Sequence, residues 1–115
     1  MQVLHLEEER KLIGEFTESI IQIPHHSYVI AVNVRVIEEI TGATSFSIGT
    51  SDDPKRYGSN IASTKDTTNI GLTNHPLTYW HDTPIKITAD NNRFTSGAVH
   101  ITLQILKPNG AWNWE

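Results

Sequence analysis

Over residues 29–37 the sequence alternates: Ile30, Val32, Val34 and Val36 fall on one side, Asn33 and Arg35 on the other. Successive side chains of an extended chain point to opposite faces, so this pattern predicts a half-buried β-strand. The same rhythm returns in Val99, Ile101, Leu103 and Ile105, with His100, Thr102 and Gln104 between them. Shorter runs repeat it: Ile85, Ile87 and Ala89 around Lys86 and Thr88, and Phe46 and Ile48 beside Ser45 and Ser47. Ile21 and Ile23 close a run before Pro24, Leu4 and Leu6 form a weaker one, and residues 12–16 are a further candidate strand. Thr, Ile and Val supply 33 of the 115 residues. These β-branched types are stiff at χ1 and suit a pleated surface.

Turn-forming clusters separate the runs: Pro24-His25-His26-Ser27, Thr41-Gly42, Ser51-Asp52-Asp53-Pro54, Asp82-Thr83-Pro84, Asp90-Asn91-Asn92 and Ser96-Gly97. Such residues pre-set φ, tolerate φ > 0 or bond their own backbone. Short strands between regular turns predict an all-β fold, an antiparallel β-sandwich of jelly-roll type. Residues 55–77 break the rhythm, being polar and rich in Ser, Thr and Asn, and read as one long connection. Residues 7–11 and 37–40 could suggest helix, but neither segment is long enough to stand alone. The expected organisation is one domain over residues 1–115 with a short Trp-containing tail at 109–115.

Charge and composition exclude several functions. A net charge of -4 and a pI near 5.8 argue against a sequence-independent nucleic-acid binder, which needs a basic surface for counterion release. They argue equally against docking on anionic lipid, and the apolar runs are far too short for a bilayer span, so no membrane insertion is expected. The start, MQVLHLEEERK, has neither the basic nor the apolar region of a signal peptide. The expectation is a protein made in a cytoplasm and not exported by a cleaved leader. The absence of cysteine excludes disulfides and thiol nucleophiles.

The six histidines, His5, His25, His26, His75, His81 and His100, show no helical i, i+4 pair, and three or four ligands would have to converge to hold zinc. Scattered surface histidine is the preferred reading, and no metal is expected. Ser51-Asp52-Asp53 and Asp90-Asn91-Asn92 are oxygen-rich but lack the EF-hand rhythm, and read as turns. There is no Gly-x-Ser-x-Gly elbow and no Gly-rich phosphate loop. Adjacent carboxylates such as Glu38-Glu39 read as solvated, so no enzyme, no catalytic residue and no cofactor are expected.

Tyr79-Trp80-His81 beside a polar loop has the composition of a platform for sugar rings, whose C–H faces pack on aromatic rings. Equally, Tyr79 or Trp80 would plug a sandwich core. Arg56-Tyr57 is a second candidate for an exposed ligand-binding position. Trp112 and Trp114 are costly to leave in water. They are expected to dock on this domain or on a neighbouring subunit, with the subunit contact preferred.

The block Val32-Asn33-Val34-Arg35-Val36-Ile37-Glu38-Glu39-Ile40-Thr41-Gly42-Ala43-Thr44-Ser45-Phe46 carries a family resemblance. Ile23-Pro24, Ile48-Gly49, Arg56-Tyr57-Gly58, Pro84-Ile85-Lys86-Ile87-Thr88-Ala89 and the run from Phe94 to Gly97-Ala98-Val99-His100 follow in the same order. Together they resemble a β-rich C-terminal domain of phage and prophage tail-fibre-like proteins. That domain, of unknown function, also occurs in gene-transfer-agent particles, mostly alphaproteobacterial. The likeness spans residues 6–108, and departs from the pattern where Asp90-Asn91-Asn92 replaces a Gly-Gly turn. It implies a virion surface module at a tail-fibre or spike tip, made in the bacterial host cytoplasm, that binds host-surface carbohydrate among other virion proteins. A fibre tip implies a homotrimer, and a spike at a capsid vertex a pentamer. The alternatives are a purely structural virion protein (capsid decoration, head fibre or connector) and, behind it, a polysaccharide-degrading enzyme.

Overall fold

The computed structural model describes residues 2–72 and 81–107. Among them eight strands follow one another: β1 (Gln2–Lys11), β2 (Phe16–Ile23), β3 (Tyr28–Thr41), β4 (Ser45–Gly49), β5 (Gly58–Ala62), β6 (Thr68–Leu72), β7 (Thr83–Ala89) and β8 (Ser96–Lys107). They build two four-stranded sheets, ordered β1-β8-β3-β6 and β2-β7-β4-β5. β1 pairs with β8, β2 with β7, β3 with β6 and β4 with β5, all antiparallel. The chain is therefore one long double ribbon, folded back on itself at the β4–β5 connection. Rolling that ribbon brings β3 against β8 and β4 against β7. This is the jelly-roll sandwich that the alternating pattern predicts.

The inner faces supply the core. Val32, Val34 and Val36 of β3 and Val99, Ile101, Leu103 and Ile105 of β8 face Phe46 and Ile48 of β4 and Ile85 and Ile87 of β7, all buried. Phe94, from the β7–β8 loop, plugs one end and meets Phe46 edge to face, with ring centroids 6.5 Å apart.

Three expectations are corrected. Ile30 does not share the core face with Val32: the pairing with β8 shifts between Val29 and Ala31, so Val29 turns inward and Ile30 is 38% exposed. A bulge inserts one residue and reverses the alternation on one side of it. Residues 12–16 are not a strand of their own. Residues 12–15 form the corner between β1 and β2, in which Gly14 makes an isolated bridge to Phe94 and Leu12 is buried, and Phe16 already opens β2. Residues 55–77 are not a single connection, since β5 and β6 lie within them. Both are five-residue edge strands, and β6 presents Ile70 outward while Gly71 faces in, the reverse of the usual pattern.

The open sides of the sandwich are closed by polar bridges. β2 leaves its register with β7 between Glu18 and Gln22. The Ile20 and Ile21 amides released there donate to the Glu8 carboxylate of β1 at 2.9 and 2.8 Å. Arg10 Nε donates to the Glu18 carbonyl at 3.2 Å, and Ser19 Oγ accepts the Ile85 amide at 2.8 Å. Charged side chains at a sheet margin satisfy stray amides and discourage pairing with another chain. On the opposite side Gly71 lets β6 come down on the main chain of Tyr57, where a Cβ would sit 2.4 Å from the Tyr57 carbonyl oxygen.

The two ends of the sandwich differ. At one end the β1–β2, β3–β4, β5–β6 and β7–β8 loops are joined by main-chain bonds, including Phe94 N to Gly14 O at 2.7 Å, Thr95 N to Thr41 O at 2.9 Å and Ser63 N to Thr44 O at 3.2 Å. The other end carries the β2–β3 and β4–β5 loops and the approach to β7, where Asp82 Oδ1 accepts the His25 amide at 2.9 Å.

Two stability measurements follow. In urea unfolding, Leu103→Ala costs about 2–5 kcal/mol as a core truncation, whereas Ile30→Ser costs no more than about 1 kcal/mol. Equal costs would refute the bulge. Glu8→Ala lowers stability by about 1–2 kcal/mol through its two stranded amides, and Glu8→Gln recovers part of the loss.

Candidate functional site

The outer face of the β2-β7-β4-β5 sheet carries a trough of about 390 Å³. Its floor follows from the alternation. Phe46 and Ile48 point inward, so Ser47 points out, and its register partner Thr88 on β7 does the same. Both side chains are short, and the next outward position on β4 is Gly49. A row of small residues across neighbouring strands leaves a depression. Ser59 and Asn60 of β5 form one bank, with Asn60 at φ 54° where β5 slips register against β4. The β4–β5 loop forms another bank, through Pro54 and Lys55.

Gly49 is what lets that loop fold back. A Cβ there would stand 2.2 Å from the Asp53 carbonyl oxygen and 2.6 Å from Pro54. The loop is braced from inside, with Asp53 O accepting the Thr50 and Arg56 amides, both at 3.1 Å. Asp90 closes the far end of the trough. Its carboxylate accepts from Ser45 Oγ at 2.8 Å and Ser47 Oγ at 2.5 Å. Asn91 next to it is tied to the Thr44 amide at 3.2 Å, so both oxygen-rich segments serve as structured turns. Beside the trough, Phe16 of β2 pairs with Thr88 and is 47% exposed, with Lys86 Nζ 4.3 Å from its ring centroid.

Of the ligand-binding residues expected from sequence, the described ones, Arg56, Tyr57 and His81, are not among the residues that line this trough. Tyr79 and Trp80, and likewise Trp112 and Trp114 of the tail, lie outside the described residues. His81 is exposed at the approach to β7, where its carbonyl accepts from Thr83 Oγ1 at 2.8 Å. Arg56 is in the β4–β5 loop with its guanidinium 4.0 Å from Asp53. Since β4 ends beside the start of β7, these two positions share one end of the sandwich.

Tyr57 is a correction. It is 4% exposed and belongs to the core, because its amide donates to Ile48 O at 3.0 Å and Asn69 Nδ2 donates to its carbonyl at 3.0 Å. The turn residues before it suggest a surface position, but the chain has already re-entered the sandwich there. His25 and His26 stack edge to face at 5.1 Å. Among the described residues no three His, Asp or Glu side chains converge on a common point. Ser47, Thr88, Asn60 and Asp90 were not singled out as site residues from sequence. The only signal for Ser47 and Thr88 is the small hydroxyl side chains alternating with Phe46, Ile48 and Ile87, and that becomes a trough only once β4 and β7 are known to be neighbours.

No family model and no curated protein matches this sequence. Among solved structures, the chain is similar to a chain of the cyanophage Pam1 capsid asymmetric unit, with a TM-score of 0.72. The match covers 92% of this chain and 85% of that one at 18% sequence identity. At that identity the likeness is one of fold alone.

Proposed function

We infer that this protein is a structural component of a phage virion, built into the particle among other virion proteins. The observation that supports this reading is the fold likeness to a phage capsid chain along 92% of the sequence. The resemblance of residues 6–108 to C-terminal domains of phage and gene-transfer-agent proteins points the same way. The role assigned is binding, with no chemistry.

The finer reading is a surface module that touches host carbohydrate. A sandwich holds loops rigidly at its ends, where recognition residues collect. Single sugar contacts are weak and gain strength when copies are arrayed in a closed homo-oligomer, a trimer or a pentamer. The tail tryptophans Trp112 and Trp114 supply apolar area for the subunit contact. A second reading, a decoration or connector without ligand, is favoured by Ile13, Phe16 and Ile20, which stay 72%, 47% and 73% exposed on and beside β2. Exposed apolar side chains of this size suit a protein neighbour.

One experiment separates the two: a screen of the purified chain on printed bacterial surface polysaccharides, with its mass in solution measured alongside. A closed oligomer with a carbohydrate signal supports the surface module, and loss of signal in Trp80→Ala with the fold intact places the contact at residues 79–81. A stable oligomer without signal leaves the structural role alone. A monomer without signal removes both the array and the receptor contact.

A further inference from the structure

The trough on the β2-β7-β4-β5 face has the chemistry of a small-ligand site, and neither His81 nor Arg56 is among its described lining residues. Its volume of about 390 Å³ falls within the usual range of ligand clefts, roughly 300–1,000 Å³. The groups around it decide what fits. Asp90 holds the only carboxylate among the described lining residues, and it already accepts two serine hydroxyls. A divalent cation needs six or more oxygens, several of them anionic, so a bare metal ion is a poor match. An anionic ligand would meet that same carboxylate. An apolar ligand would strand the hydroxyls of the floor.

A neutral polyhydroxylated ring satisfies what remains. A carboxylate with two oxygens has about four acceptor positions. Two are used by Ser45 and Ser47, so Asp90 can still take hydroxyl donors. Ser47, now a donor to Asp90, keeps its lone pairs. Thr88 lines the trough, and its Oγ1, shielded from solvent, has no hydrogen-bond partner among the described residues. Buried hydroxyls are rarely left so, and a turn about χ1 to another staggered rotamer would present this one to a ligand hydroxyl. Asn60 offers both a donor and an acceptor, and Lys55 an ammonium donor, from the two banks. Pro54 and Ala89 give the apolar contact that sugar C–H groups need.

We propose that this trough binds one pyranose ring of a host-surface glycan, with Asp90, Thr88 and Asn60 as its polar contacts. The assignment rests on the carbohydrate reading above. Thr88→Val tests it, because the substitution keeps the shape and removes a hydroxyl that no described protein group uses. Asn60→Gly is the companion, since glycine accepts the positive φ at that position.

The full chain, both variants and His81→Ala are applied to printed bacterial O-chains and capsular polysaccharides, and melting temperatures are recorded. The expected result is a loss of binding of about tenfold or more in Thr88→Val and in Asn60→Gly, with the melting temperature of Thr88→Val unchanged or raised. Binding kept in both trough variants but lost in His81→Ala overturns the trough and leaves the carbohydrate reading standing. No binding by the unmodified chain to any printed polysaccharide overturns both.

Discussion

The pairing of β3 with β8 joins residues near the start of the chain to residues near its end, and the remaining architecture depends on it. Tyr28 lies opposite Leu106 and Thr41 opposite Ser96, so the contact spans most of the sequence. Each strand is apolar on its inner face, and the two together form the middle of one sheet. With them aligned, β1 has only the free edge of β8 to join and β6 only the free edge of β3. The second sheet repeats the logic, with β4 and β7 in the middle. Such non-local pairing must overcome loop-closure entropy before burial rewards it, which makes a rolled ribbon of this kind a slow-folding topology.

Departures from regular pairing occur where the structure has something to satisfy. The shift at Val29 and Ala31 turns Ile30 outward. The slip in β2 frees two amides that Glu8 then binds, so an irregular edge strand is held by a carboxylate from the other sheet. The slip in β5 places Asn60 at positive φ on the bank of the trough. The first costs an apolar side chain its burial, and the other two create polar positions that a regular ladder would not have.

The trough itself is a consequence of small residues on a face whose other side must stay packed. Phe46, Ile48 and Ile87 hold the sheet from within, so Ser47, Thr88 and Gly49 are free to be short. Gly49 admits the β4–β5 loop, and Asp90 is steadied by two serines and by its neighbour's bond to Thr44. Rigid strands carry most of the lining groups, which favours a preformed site over one assembled on binding.

Much of the fold was legible before any coordinates. The alternation in β3, β4, β7 and β8 reports which face is wet, because a strand with period two shows its two environments directly in its sequence. The turn clusters at 24–27, 51–54 and 90–92 were legible too, since Asp, Asn, Pro and Gly make turns by local chemistry. What the sequence could not reveal were properties of neighbours. β5 and β6 are short edges with Ile61 as the one buried side chain of β5, so neither carries a periodic signal. Tyr57 looks like a loop residue and is buried because a glycine on β6 allows the strand to cover it. Ser47 and Thr88 are 41 positions apart and become one surface only through the pairing of β4 with β7. Local periodicity determined the class of structure, while the contacts between distant strands decided which residues meet, because burial and register belong to pairs of segments and are absent from either one alone.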